Sequence, residues 1–219
     1  FKMNRYLLCR AFSSSGKRVG FIGLGNMGMP MSGNLKKNGF EVKAFDISSA
    51  NLEKAAELGV TPVQTVAEVS KGVDFIVTSV PNTRDVQDLL NNPEGIFANA
   101  DKGTFIVDTS TISPLASKEF AAAAKKQEMV FIDSPMSGGI GGAQNGTLTF
   151  MVGCEKEHYD KVKEMLVGMG KNVFHCGGPG TGEIAKICNN LILGISMVAA
   201  SEGLSLGEKL GMDPKVLSQ

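Results

Sequence analysis

The chain has 219 residues, 42% hydrophobic and 20% charged, which suits a folded chain with a sizeable core and excludes disordered or fibrous classes. Its 22 Lys and Arg balance 22 Asp and Glu. Lys2, Arg5, Arg10 and Lys17 crowd an acid-free start; without those four, 18 basic residues face 22 acidic ones, a charge of −4 that argues against a nucleic-acid partner.

Residues 1–16 carry arginines, serines and no acid, the composition of a mitochondrial transit-like leader, so a mitochondrial (matrix) location is expected. Accidental composition of an unstructured start is the other reading. Residues 18–22 (RVGFI) read as a buried strand, followed by a Gly-rich turn and a helix over 27–38 that stops at Gly39. A second strand spans 41–45, and Ser48–Ser49 cap a helix that ends at Gly59. Strands are expected at 73–80, 104–108 and 129–132, with helices at 65–71, 83–91 and 113–126. Strand alternating with helix implies right-handed β-α-β units and a doubly wound, mostly parallel sheet of Rossmann type.

A strand at 147–152, a helix at 155–169 and a strand at 172–175 complete that layer. From Glu183 to about Lys209 no proline interrupts a long helix that Gly211 ends, and Asp213-Pro214 marks the start of another. Leu191, Ile195, Val198 and Leu206 cannot all pack on the sheet. The chain therefore divides into the leader, a Rossmann domain at 17–181 and, at 182–219, the start of an incomplete all-α substrate and dimerisation domain. The exposed long helix points to a homo-oligomer. Cys9, Cys154, Cys176 and Cys188 form no C-x-x-C, and His158 and His175 show no metal-ligand spacing, so no metal is expected. The longest apolar run, Leu191 to Ala200, is about half of what a bilayer requires, so no membrane partner is expected.

The segment Gly23-Leu24-Gly25-Asn26-Met27-Gly28 is a G-x-G-x-x-G between a strand and a helix. Gly23 permits the tight turn, Gly25 lets the backbone approach a pyrophosphate, and Gly28 lets helix and strand pack closely. Asp46, 21 residues after Gly25, ends the next strand where an adenine ribose would sit. A carboxylate there accepts from both ribose hydroxyls and repels a 2′-phosphate, which favours NAD over NADP. As an alternative, Asp46 is only a helix-capping or surface acid. Lys43 and Arg84 are the cations that could serve NADP, although neither directly follows Asp46. Val80, Pro81 and Thr111 stand at later strand ends and should line the same crevice, unless they merely terminate strands.

GFIGLGNMGMPM, DSPMSGGIGGAQNGTLTFMVGC and GPGTGEIAKICNNL together resemble the signature regions of the β-hydroxyacid dehydrogenases, in the right order over residues 18–219. The resemblance implies a small 3-hydroxy acid substrate, NAD as cofactor and oxidation of 3-hydroxyisobutyrate to methylmalonate semialdehyde in valine degradation. It assigns the substrate carboxylate to Ser137, Gly138 and Gly139, a grouping whose hydroxyl and Gly-exposed N–H groups suit an anion. Without the resemblance, those glycines also admit the lesser reading of a flexible loop. It makes Lys186 the general acid/base and Asn190, four residues on and on the same helix face, the substrate-orienting neighbour. Burial beside a nicotinamide cation would lower the pKa of Lys186 towards a usable base. Two alternatives stay open: another family activity, such as glyoxylate or succinic semialdehyde reduction, and an inactive NAD-binding fragment.

Overall fold

The computed structural model describes residues 17–218; the expected leader and Cys9 lie outside the described residues. Short runs rich in Val, Ile and Phe build a parallel sheet: β1 (Arg18–Ile22), β2 (Glu41–Phe45), β3 (Thr61–Pro62), β4 (Phe75–Thr78), β5 (Phe105–Asp108) and β6 (Val130–Asp133). Their spatial order is β3-β2-β1-β4-β5-β6, so the winding reverses between β1 and β4. Beyond β6 the sheet continues with β7 (Met136–Ser137), β8 (Leu148–Gly153) and β9 (Gly170–Gly177). β8 runs antiparallel to β6 and β7, and β9 runs parallel to β8.

Period-two alternation sends the strand side chains into two cores, one on each sheet face. Val19, Phe21, Phe75, Val77 and Val107 enter one; Ile22, Ile76 and Ile106 enter the other. Helices cover both faces: α1 (Gly28–Lys37), α2 (Ser49–Glu57), α3 (Val66–Ser70), α4 (Thr83–Asn91), α5 (Ile96–Asn99), α6 (Pro114–Lys126), α7 (Gly139–Asn145) and α8 (Lys156–Leu166). Side chains of Ser48, Thr65, Asn82 and Ser113 accept from backbone N–H groups in the first turns of α2, α3, α4 and α6, satisfying donors a helix start leaves open.

Four short elements, β3, β7, α5 and α7, were not expected from the sequence. The Gly-rich stretch after Ser137 forms helix α7 rather than a bare turn. Asn34 of α1 holds it in place by donating through Nδ2 to the Ala143 carbonyl at 2.7 Å, in a buried setting.

After β9 the chain enters α9 (Thr181–Lys209) and then α10 (Pro214–Leu217). The first turn of α9 is locked onto the sheet. Asp133, at the end of β6, accepts from Gly180 N–H at 2.6 Å and Glu183 N–H at 3.0 Å. A Cβ on Gly182 would stand 2.2 Å from the Met151 carbonyl oxygen, and one on Gly153 would stand 2.5 Å from the Asp133 carboxylate. Helix and carboxylate can meet only because both positions are glycine. Further along, Leu191, Ile195, Val198 and Leu206 are each 60–63% exposed, as the sequence pattern required. By length and composition alone α9 would suffice to cross a membrane. The expectation rested on the run 191–200 alone; the α9 residues on either side of it lengthen the stretch without making it polar on average.

Asp133→Ala leaves two buried N–H donors of the α9 start without an acceptor. We expect a loss of about 2 kcal/mol, read as a lower urea midpoint at unchanged slope.

Candidate active site

The carboxyl ends of β1, β2, β4 and β5 open into a cleft of about 1020 Å³ at the point where the strand order reverses. That is the upper end of small-molecule sites, roughly 300–1,000 Å³, and suits an elongated dinucleotide. Gly23, Gly25, Asn26, Met27, Gly28, Asp46, Val80, Pro81 and Thr111 all line it. Leu24 does not: its side chain is 1% exposed in the core, and it contributes its backbone instead.

The three motif glycines differ physically. Gly23 has φ +94°, and a Cβ there would meet the Ser79 carbonyl at 2.2 Å. A Cβ on Gly28 would overlap the Gly23 carbonyl at 1.9 Å. Around Gly25 nothing lies within 4 Å of a Cβ, so its missing side chain leaves open space on the cleft side. That is the cradle a pyrophosphate needs against the first turn of α1, with its unpaired N–H groups.

Asp46 sits at the rim of this turn. Its Oδ2 accepts from Leu24 N–H at 2.5 Å; its Oδ1 accepts from Ser48 N–H at 2.8 Å and Asn51 Nδ2 at 3.2 Å. A carboxylate offers about four acceptor positions, so one on Oδ2 remains, and Asp46 lines the cleft. The cap of α2 is Ser48, not Asp46. Neither cation considered for a 2′-phosphate lines the cleft. Arg84 pairs with Asp88 at 3.9 Å, and Lys43 donates to the Glu68 and Lys71 carbonyls. Asp85, Asp88 and Glu94 line the cleft and add further negative charge.

Ser137, Gly138, Gly139, Lys186 and Asn190 lie outside the lining of this cleft. Ser137 directly follows the lining residue Met136, in register with Thr149 of β8. Gly138 and Gly139 take φ +129° and +61°, which turns the exposed backbone from β7 into α7. Lys186 lies half-buried on α9, one turn past Glu183, and Asn190 is exposed one turn further on. Burial pushes the Lys186 amine below its ordinary value, and the Glu183 carboxyl opposes that shift. The Asp133 contact with α9 thus sets the lysine helix beside the segment that leads through Met136 to the Ser-Gly-Gly turn.

Sequence reading missed a group of buried acids at the same edge. Asp108 ends β5 and is fully buried; Thr78 Oγ1 and Ser110 N–H donate to its Oδ1, while Oδ2 has no partner. Glu183 is fully buried with both carboxyl oxygens unpartnered. Desolvation raises Asp108 to about 6 and Glu183 to about 8; repulsion from Asp133 adds to the first shift, and repulsion from Asp108 and Asp133 adds to the second. The strand-ending patterns FIVD and FID carried a signal for Asp108 and Asp133. Nothing local marked Glu183, which reads as an ordinary first-turn acid.

Two experiments probe this geometry. Gly28→Ala should lower stability and cofactor affinity together, whereas Gly25→Ala should leave the melting temperature nearly unchanged and weaken NAD binding by at least about tenfold in calorimetry. Stability should also fall as pH rises. Folded Asp108 and Glu183 keep protons that the unfolded chain releases near 3.8 and 4.5, so their contribution is full below that range and is lost through about 8. Urea midpoints measured from pH 5 to about 8.5 check the sign.

Comparison with known proteins places these features in a family. Residues 18–178 match the model described as the NAD binding domain of 6-phosphogluconate dehydrogenase. Residues 180–219 match the one described as NAD-binding of NADP-dependent 3-hydroxyisobutyrate dehydrogenase. The chain is 47% identical to the Dictyostelium discoideum protein named "Probable 3-hydroxyisobutyrate dehydrogenase, mitochondrial", over 100% of this chain and 67% of that one. It is 42% identical to the Bos taurus mitochondrial 3-hydroxyisobutyrate dehydrogenase, over 97% of this chain and 63% of that one. A solved structure of Mycobacterium tuberculosis 3-hydroxyisobutyrate dehydrogenase with L-serine superposes with a TM-score of 0.87 at 35% identity, covering 90% of this chain and 67% of that one. The chain thus spans about two thirds of the length of these relatives.

Proposed function

The chain belongs to the β-hydroxyacid dehydrogenase family, and from that premise we propose that it oxidises 3-hydroxyisobutyrate to methylmalonate semialdehyde, with NAD as cofactor and Lys186 as proton-transfer group. The observation that carries the reading is the position of Lys186, a half-buried lysine of lowered proton affinity on a helix anchored at the strand end that leads to the Ser-Gly-Gly turn.

NAD, when bound, supplies the acceptor for the hydride that leaves the carbinol carbon. The residues of the chain do the rest. The Gly23–Gly28 turn and the α1 start hold the pyrophosphate, and Asp46 accepts from the adenine ribose. Val80, Pro81 and Thr111 wall the inner end of the cleft. Ser137 and the Gly138 and Gly139 backbone take the substrate carboxylate, and Asn190 orients the hydroxyl. Lys186 as a neutral amine takes the hydroxyl proton, and as ammonium it returns the proton in the reverse direction. A free amine with a pKa of about 10.4 would be nearly all ammonium at neutral pH, so the desolvation that lowers Lys186 is what makes it usable.

Asp46, whose carboxylate would repel a 2′-phosphate, supports NAD over NADP. The relatives' names support a mitochondrial location, and the exposed flank of α9 supports assembly of the protein into a homo-oligomer. The competing reading within the family is a glyoxylate or succinic semialdehyde reductase working with NADPH. A substrate panel separates the two. Turnover of 3-hydroxyisobutyrate with NAD should dominate, and L-serine belongs in the panel as a second 3-hydroxy acid. Equal or faster glyoxylate reduction with NADPH would overturn the assignment. Lys186→Ala should lower kcat by about 10²–10⁴-fold while the dissociation constant for NAD stays within about threefold. Asp46→Ser should shrink the ratio of kcat/KM for NAD to that for NADP.

A further inference from the structure

Glu183 is a buried ionisable group to which the proposed reaction assigns no role. It is 0% exposed, and neither carboxyl oxygen has a hydrogen-bond partner. Its own N–H is fixed to Asp133, so the residue cannot swing out with a fraying helix end. The loop 109–112 covers it: the Ile112 backbone N–H lies close to its carboxyl, while Thr109, Ser110 and Thr111 of the same loop line the cofactor cleft. One turn along α9, on the same side of the helix, is Lys186.

We propose that Glu183 is a positioning residue for Lys186: a sealed carboxyl, held between the cleft-lining loop and the lysine, that governs when the amine carries a proton. This rests on the reading of Lys186 as the proton-transfer group. The physical reason is that a lysine beside a carboxylate is trapped as ammonium, whereas a lysine beside a neutral acid is not. The site therefore needs an acid that stays protonated at neutral pH, and the surroundings of Glu183 supply that condition. Asp108 from β5 and Asp133 from β6 repel a second charge, and burial raises the Glu183 carboxyl to about 8. The other ionisable groups near this corner do not compensate it. Lys118 of α6 packs its stem against Gly180, Cys154 and Cys176 flank Asp133, and His175 Nε2 is bonded to the Cys154 carbonyl. Below about 8 the acid is neutral and leaves the lowered amine undisturbed. Above it, the new carboxylate draws the proton back to Lys186, so the two groups titrate as a pair.

The experiment measures the amine directly. The protein is pulsed with an acetylating reagent from pH 6 to 11, and modification at Lys186 is quantified by mass spectrometry against exposed Lys209. Glu183→Gln, which cannot ionise, should move the Lys186 titration down by about one pH unit and narrow it to a single step. The acidic limb of the kcat profile for oxidation, where the neutral amine forms, should move with it. Glu183→Met, an apolar residue of similar length, should give the same shift. A merely structural role would alter the unfolding midpoint and leave the Lys186 titration where it is, and that result in either folded variant overturns the proposal. The outcome is separable from the functional reading: turnover that survives Lys186→Ala removes the lysine's role, whereas the labelling curve reports the coupling whether or not the enzyme turns over.

Discussion

The Asp133 carboxylate accepts from two backbone N–H groups at the start of α9, and the placement of Lys186 follows from that contact. A carboxylate without hydrogens can only accept, and a helix start has donors it cannot satisfy itself, so the match is chemically complete. It is also sterically exacting. Gly153 and Gly182 are the openings through which strand end and helix end approach, and any side chain there would meet oxygen atoms at 2.2–2.8 Å. The joint thus couples three separate stretches of chain, β6, β8 and α9, into one corner of the molecule.

The cofactor cleft is built by a different logic. The chain leaves the paired strands β1 and β4 towards opposite sides of the sheet, and the crevice at their carboxyl ends is floored largely by backbone. Gly23 and Gly28 are glycines because neighbouring carbonyls leave no room, whereas Gly25 has no such neighbour and leaves open space on the cleft side. Asp46 joins them: by accepting from Leu24 N–H it ties the glycine turn to the end of β2, so its carboxylate and the turn keep a fixed spacing.

The buried acids at the α9 corner show how a fold can hold chemistry that no short motif marks. Asp108, Asp133 and Glu183 come from three elements, and each alone looks conventional. Brought into one corner they repel one another's charge, and burial raises all three above the usual carboxylate range.

Much of the fold was legible in the chain. The strands at 18–22 and 41–45 match what the alternation of Val, Ile and Phe predicts, and the helix starts at Ser48 and Pro114 follow from capping chemistry. These are local rules, read within a few residues. The G-x-G-x-x-G turn and Asp46 were legible for the same reason, since strand, turn and helix fix their spacing. The two-residue strands β3 and β7 were not, because a two-residue strand is defined by its partner and carries no period of its own. Helix α7 was hidden by its glycines and is held by Asn34, 109 residues away in sequence. The burial of Glu183, and with it the environment of Lys186, was decided only in three dimensions. Whether a first-turn glutamate meets water or a sheet edge depends on Gly153, Gly182 and Asp133 converging on it, and no pattern within the helix encodes that convergence.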